Sequence, residues 1–304
     1  MNSMNLNNKK VIFIIGPTAI GKTKLSIDLA KIFSCEIISC DSRQFYKELK
    51  IGSAPPDKLE LTKIKHHFIQ NLSVEEDYSA GQFEIDAMER IKKIHKKNNL
   101  VLMVGGSGLY IDAICKGLDK IPKISKKFRK EINEEYKNKG LIWLQEKVKK
   151  IDPEFYVNND CNNPQRLLRT LELFTQTGKN LSSFQTKKTK KRPFKIIKIG
   201  LNTKREILYN RINKRVDNMI DKGLLKEVNS LINFQHKNAL QTVGYKEIFK
   251  FLDKKCSFEE AIDAIKQNTR RFAKRQLTWF RKDKEIKWFE PNELNEIKKF
   301  ISKS

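Results

Sequence analysis

The segment that most constrains this chain is "KVIFIIGPTAIGKTKLSIDLAKIF", from Lys10 to Phe33. It opens on a short continuous apolar run, which fits a strand buried on both faces, and closes on apolar residues recurring at helical spacing. Between the two, Gly16, Gly21, Lys22 and Thr23 fit the pattern GxxxxGK[ST], the loop that cradles phosphates. The chemistry follows from the residue types. Glycines let backbone N–H groups converge on phosphate oxygens, the helix N-terminus adds partial positive charge, the lysine bridges two phosphates, and the threonine hydroxyl can ligate Mg²⁺. Glycines alone would read more plainly as a turn joining strand to helix, but the full motif in its strand–loop–helix context outweighs that reading.

The same alternation continues downstream. "CEIISCD" reads as a second buried strand, "QFEIDAMERIKKIHKKN" as an amphipathic helix, and "NLVLMVGGSGLYIDAI" as a third strand, a glycine turn and another helix. Strands that alternate with helices imply a parallel sheet covered on both faces. From about Asp119 to Arg192 the pattern changes to helical periodicity and turns. Lys120 to Arg192 holds 19 Lys/Arg and 8 Asp/Glu, a net +11 in about a quarter of the chain. After "KKTKKRP" the strand pattern returns as "FKIIKIGLN", followed by helices to the end. The predicted fold class is α/β, a P-loop NTPase-like parallel sheet flanked by helices with a mainly α-helical basic insertion. The expected boundaries are 1–118 for the first part of the core, 119–193 for the insertion, and 194–304 for the rest of the core.

The 304 residues carry a formal net charge of +26, which favours polyanionic partners. Nucleic acid is favoured over a membrane surface, because no lipidation motif or interfacial anchor is present. Part of the excess is ordinary Lys-rich composition, so only its clustering is informative. Cys35, Cys40, Cys115, Cys161 and Cys256 form no CxxC pair, which suits buried thiols in a reducing compartment, and with four scattered histidines no zinc site is expected. The polar "MNSMNLNNKK" is followed by an apolar run too short for a leader or a membrane span, so a cytoplasmic location is expected.

An enzyme that hydrolyses or transfers from a nucleoside triphosphate usually places a metal-holding Asp at the end of another strand. Here "LVLMV" ends in Gly105–Gly106. The one comparable carboxylate is Asp41, which closes "CEIISCD" and runs into "SRQFY". Strand ends at the carboxyl edge of such a sheet form its ligand crevice, so Asp41 reads as a substrate-handling residue rather than a turn or cap residue.

Together "GPTAIGKT", "DSRQFY", "GGSGLYIDAI", "NPQRLLRTLE", "QTVGYKEI" and "NTRRFAKRQLTWFR" stand in the order and rough spacing of the tRNA dimethylallyltransferases, a family this chain resembles from about Val11 to Arg281. The resemblance implies transfer of a dimethylallyl group from dimethylallyl diphosphate to N6 of adenosine 37, beside the anticodon, in tRNAs reading codons that start with U. It implies that Gly16, Pro17, Thr18, Ala19, Ile20, Gly21, Lys22 and Thr23 hold the diphosphate of the allylic substrate rather than a nucleotide. It further implies that Asp41 accepts the N6 proton, that Thr23 helps to hold Mg²⁺, and that Arg215 contacts the diphosphate. Without the resemblance Arg215 would read as a solvated helical arginine.

Segments matching the family's contacts to the anticodon stem-loop are Asp41, Ser42, Arg43 and Gln44, then Gln165, Arg166, Leu167, Leu168 and Arg169, with Arg129 as a looser match. "PQRLLRTLEL" also reads as an amphipathic helix with its leucines in a core. At Ser107 the family commonly has Thr; Ser keeps the hydroxyl, so the resemblance implies that Ser107 still binds the tRNA, through a hydrogen bond to the flipped adenosine or its phosphate. Projected on a helical wheel, "TRRFAKRQLTWFR" puts Phe272, Ala273, Leu277, Trp279 and Phe280 on a half expected to be core, and Arg270, Arg271, Lys274, Arg275 and Arg281 on a half expected to face phosphates. Gly244 and Tyr245 read as a turn shaping the substrate channel, with simple packing the other reading of Tyr245, and Phe83 and Trp279 as candidates for shaping the pocket. A monomer acting without a membrane is expected.

Three other readings are weighed against this one. An isopentenyltransferase acting on free adenylate would not need the basic insertion. A kinase would not need the allylic-transferase motif set, and a non-catalytic RNA-binding protein would leave the phosphate loop and Asp41 without purpose.

Overall fold

The computed structural model describes residues 9–186 and 188–304, so the polar start of the chain at 1–8 lies outside the described residues. The chain divides into two compact units: one built from the segments up to Lys116 and from Lys191 onward, the other from Gly117–Lys190.

The first unit is organised by a six-stranded sheet. Its strands are β1 (Lys10–Ile15), β2 (Glu36–Ser39), β3 (His66–His67), β4 (Leu100–Gly105), β5 (Lys195–Leu201) and β6 (Lys287–Phe289), in the order β3-β2-β4-β1-β5-β6 and all parallel. β1 is the spine, pairing Ile12 with Leu102 on one side and with Ile197 on the other. Its alternation assigns side chains to faces: Val11, Phe13 and Ile15 enter one buried cluster, Ile12 and Ile14 the other. Phe83, Ala87 and Ile91 of the helix Ala80–Ile94 cover the first face. Leu25 and Leu29 of the helix Lys22–Ile32, with Leu208 and Ile212 of Arg205–Asp221, cover the second. This is the double coverage that an all-parallel sheet requires.

The two edge strands were not expected. β3 is two residues long and β6 three, too short to show an alternation, and their pairing rather than their sequence makes them strands. β6 therefore interrupts the stretch expected to be helical to its end.

The chain order places the site. From β1 the chain passes to β2, beyond β4, and later crosses from β4 to β5 on the far side of β1. The direction of winding thus reverses beside β1, and the carboxyl ends of β2, β4 and β1, which are neighbours, open on the crevice that such a reversal creates.

The second unit is helical. Its helices are Lys126–Ile151, Pro153–Asn158, Pro164–Thr177 and Leu181–Phe184. The first is broken at Gly140, where φ is 76° and ψ is −171°. Pro164 begins its helix, where a missing N–H costs nothing, and Gly178 ends it in the left-handed region at φ 68°. Leu144, Val148, Leu167, Leu173 and their neighbours form a core made only of residues from this unit. Asp152, fully buried, organises it: Oδ1 accepts the Phe155 N–H at 3.1 Å and the Ser182 hydroxyl at 2.7 Å, and Oδ2 accepts the Ser182 N–H at 3.0 Å.

Among the described residues no helix is long and apolar enough to cross a membrane, and no cluster of three His, Cys, Asp or Glu could hold a metal ion.

Candidate active site

Three loops follow the carboxyl ends of adjacent strands. The first, after β1, runs from Gly16 to Gly21 into the helix that begins at Lys22. Gly16 has φ 150°, and a Cβ there would lie 2.8 Å from the Leu201 carbonyl oxygen, so the backbones of β1 and β5 can approach only without a side chain. Ala19 holds φ 62° despite its Cβ, a local strain of the kind found where a loop is shaped for a ligand. Two cations brace the loop. Lys22 Nζ donates to the carbonyls of Gly16 at 3.0 Å and Pro17 at 2.8 Å, and Arg211 Nη1 donates to that of Ile20 at 3.1 Å. Thr23 stands half-buried in the first turn of the helix, its carbonyl accepting the Ser26 hydroxyl at 2.8 Å.

The second loop follows β2. Asp41 Oδ1 accepts the Arg43 N–H at 2.9 Å, a turn closed by its own side chain. Among the described residues Oδ2 has no donor, so one carboxylate oxygen is left open. Gln44 is used within the loop: Oε1 accepts the Ser39 hydroxyl at 3.0 Å and Nε2 donates to the Ala54 carbonyl at 3.1 Å.

The third loop follows β4. Ser107 Oγ accepts the Ser42 N–H at 3.0 Å and donates to Ser42 Oγ at 3.2 Å, joining the second and third loops.

The charges of this region act on one another. Burial, its largest influence, lowers the Lys22 ammonium to about 8; the Asp41 carboxylate pulls it up and the Arg215 guanidinium pushes it down. Arg215 is likewise lowered, first by burial and against the opposing pull of Asp41. The fold therefore brings Lys22, Asp41 and Arg215 into one electrostatic neighbourhood from three distant parts of the chain.

Two groups that the sequence reading missed hold this region together. Glu227 accepts the N–H groups of Lys50, Ile51 and Gly52 at 2.9, 2.7 and 3.0 Å, and the Tyr245 hydroxyl at 2.6 Å. Gln276 reaches the phosphate loop from the helix Phe258–Phe280. Gln276 falls inside the segment "NTRRFAKRQLTWFR" and Glu227 outside the quoted segments, but a Gln on a charged helix or a Glu on a short one reads by residue type as surface. Tyr245, expected at a substrate channel, is instead fully buried against Gly52. Phe83 is a core residue with no exposure.

The helix Phe258–Phe280 also differs from its wheel. Ala273 and Phe280 are buried, but Phe272 and Trp279 are each 38% exposed, while the polar Gln276 is buried. Trp279 Nε1 donates to Asp112 Oδ2 at 3.1 Å. Of the cations, Arg271, Lys274, Arg275 and Arg281 are exposed, whereas Arg270 donates to Asn213 Oδ1 at 2.7 Å.

In the helical unit, Gln165 and Arg166 are exposed on the first turn of their helix. Leu167 and Leu168 are buried in that unit's core, so their side chains supply packing, as the amphipathic reading of the segment expected. Arg169 is half-buried and donates to the Pro122 carbonyl at 3.3 Å. Arg129 keeps about half its surface, with Nε 3.6 Å from the buried Glu172.

A profile of the IPP transferase family matches residues 44–283. The tRNA dimethylallyltransferase of Christiangramia forsetii is 56% identical over 93% of this chain and 94% of its own length, and that of Flavobacterium johnsoniae is 49% identical over 96% and 97%. Among solved structures, the full-length tRNA isopentenylpyrophosphate transferase of Bacillus halodurans superposes with a TM-score of 0.72 at 36% identity, covering 97% of this chain and 96% of that one. A eukaryotic dimethylallyltransferase captured acting on tRNA gives 0.78 at 28% identity, covering 97% and 77%. With the family profile spanning most of its length and these relatives matching nearly all of it, the chain belongs to the IPP transferases, the family of the tRNA dimethylallyltransferases.

Proposed function

We propose that this chain transfers the dimethylallyl group of dimethylallyl diphosphate to N6 of adenosine 37 in tRNAs that read codons beginning with U, releasing diphosphate. The observation that carries this reading is the arrangement of one crevice. A phosphate loop, a carboxylate with a free oxygen and a hydroxyl turn stand at the carboxyl ends of three neighbouring strands, and the first two share one electrostatic field.

In the reaction the allylic C1–O bond breaks, a C1–N6 bond forms, and one N6 proton must leave. The exocyclic amine is a poor nucleophile because its lone pair is delocalised into the ring, so positioning and proton acceptance carry much of the catalysis. Asp41 Oδ2 accepts that proton. Lys22, Arg215 and the loop N–H groups meet the charge that develops on the leaving diphosphate. An anion beside Lys22, lowered to about 8 by burial, favours its charged form.

The donor set also suits Mg²⁺. This ion keeps several waters and takes one or two protein oxygens plus substrate phosphates, so a lone hydroxyl such as that of Thr23 fits without an acidic cage. When bound it would supply further charge neutralisation at the diphosphate.

The anticodon stem-loop is assigned to the exposed cations of the helix Phe258–Phe280 and to the basic helical unit, through Gln165, Arg166 and Arg129. Phosphate contacts of this kind supply affinity without reading sequence. A cytoplasmic monomer is part of the same proposal.

Calorimetric titration with dimethylallyl diphosphate and with ATP, on wild type and on Lys22→Met, tests the assignment of the loop. Tighter binding of the allylic diphosphate, lost in Lys22→Met, supports it; tighter binding of ATP contradicts it.

A further inference from the structure

Gln276 lies in the last two turns of the helix Phe258–Phe280, 6% exposed, on a segment otherwise rich in cations. A polar side chain buried there must be hydrogen-bonded, and its two partners lie far away in the chain. Oε1 accepts the Thr18 N–H of the phosphate loop at 2.8 Å, and Nε2 donates to the Gly106 carbonyl at 2.9 Å. A Cβ on Gly106 would come within 2.2 Å of that Nε2 and 3.3 Å of the Gly16 carbonyl, so the turn after β4 and the phosphate loop converge on this one amide. One helical turn further on, the Trp279 indole comes within 2.5 Å of the position a Gly108 Cβ would take.

We propose that Gln276 is a positioning residue that sets the phosphate loop in register with the turn carrying Ser107, and thereby fixes the leaving group relative to the base-handling loops. The chain of contacts is continuous. Gln276 joins Thr18 to Gly106, the next residue Ser107 holds Ser42, and Ser42 adjoins Asp41. An amide does this at any pH, because one atom accepts from the N–H while the other donates to the carbonyl. Gln276 makes no contact with either substrate in this assignment. Its effect is to fix where the Thr18 N–H and its neighbours point, and a misplacement of about 1 Å costs on the order of a hundredfold in rate. The inference rests on the reading of the loop as a diphosphate site.

The test compares wild type, Gln276→Met, Gln276→Glu, Lys22→Met and, as a control for simple destabilisation, Val228→Ala in the core. Two quantities are read on protein confirmed as folded by its melting transition: the Kd for inorganic diphosphate, and kcat and KM for dimethylallyl diphosphate with a stem-loop substrate. Gln276→Met should weaken diphosphate binding and raise KM by about tenfold or more, and lower kcat, with stem-loop affinity unchanged. Gln276→Glu carries a sharper signature. Its carboxylate can accept from Thr18 but repels the Gly106 carbonyl, whereas its protonated form can accept from one and donate to the other. Its KM, taken as a ratio to wild type at each pH, should fall toward one as pH is lowered, while the Gln276→Met ratio stays flat.

Equal losses in Gln276→Met and Val228→Ala, or a Gln276→Glu ratio that ignores pH, would overturn the positioning role while Lys22→Met still lost binding. Wild type that fails to bind diphosphate at all would overturn the loop assignment, and this inference with it.

Discussion

The hydroxyl of Ser107 accepts the backbone N–H of Ser42 at 3.0 Å, so the turn after β4 holds the residue beside Asp41. A small side chain with one oxygen thus links two loops 65 residues apart. Ser107→Ala leaves the Ser42 N–H without this partner and should lower the single-turnover rate about tenfold, the effect of roughly 1.4 kcal/mol, near the upper end for one neutral hydrogen bond. Ser107→Thr keeps the oxygen and should stay within about threefold. A rate for Ser107→Ala equal to wild type would remove this link from the account.

Asp41 presents one oxygen to its own loop and keeps the other free. Asp41→Asn preserves the shape and can still accept the Arg43 N–H through its amide oxygen, but it is a poor proton acceptor. Its kcat should fall by about 10²–10⁴, the usual contribution of a general base. Affinity for the stem-loop should remain near wild type, measured by filter binding. A parallel loss of both would mean that Asp41 serves binding rather than proton transfer.

Lys22 sets a pH dependence whose sign is fixed by its surroundings. Burial lowers its ammonium to about 8 in the free protein, so above that pH the loop loses the Lys22 charge. A bound diphosphate favours the charged form and raises that value, so binding takes up a proton near and above pH 8. Affinity for inorganic diphosphate should therefore weaken as pH rises through about 8, with a calorimetric heat that varies with the buffer's ionisation enthalpy. Lys22→Arg, always charged, should flatten the dependence.

Glu227 accepts three backbone N–H groups of residues 50–52 and the Tyr245 hydroxyl. Hydrogen bonds to a charged acceptor contribute about 1.5–3 kcal/mol each, less where water replaces them, so Glu227→Ala should destabilise the sheet-bearing unit by about 2–4 kcal/mol. Tyr245→Phe should cost about 1–2 kcal/mol. Urea unfolding reads both. A Cβ at Gly52 would meet the Tyr245 ring at 2.5 Å, so Gly52→Ala should be at least as damaging as Tyr245→Phe.

The parts of this architecture that were legible in the sequence are those with a strong local period or a fixed-spacing motif. β1, β2, β4 and β5 are apolar runs because both faces are buried, and the loop from Gly16 to Thr23 combines glycine geometry with phosphate chemistry in eight residues. β3 and β6 were not legible, because two or three residues carry no pattern and their strand character comes from the neighbour they pair with. The burial of Leu167 and Leu168 was visible in helical spacing, which places every third or fourth leucine of the segment on one face. Gln276 and Glu227 were invisible for another reason. Most of their partners are backbone groups far away in sequence, so the residue type alone does not distinguish either from a solvated side chain, although Gln276 stands at helical spacing from Ala273 and Phe280. The exposure of Trp279 and Phe272 shows the same limit: a wheel assigns a face, and only the neighbouring elements decide how far round it is covered.

The measurement that bears most directly on the account is product analysis by mass spectrometry. Purified protein and Mg²⁺ are incubated with an unmodified anticodon stem-loop, with AMP or with ATP, each with and without dimethylallyl diphosphate. The account predicts a dimethylallyl adduct on a stem-loop adenosine, dependent on the allylic diphosphate and absent from free nucleotides. An adduct on AMP, or consumption of ATP with no adduct on the RNA, would contradict it.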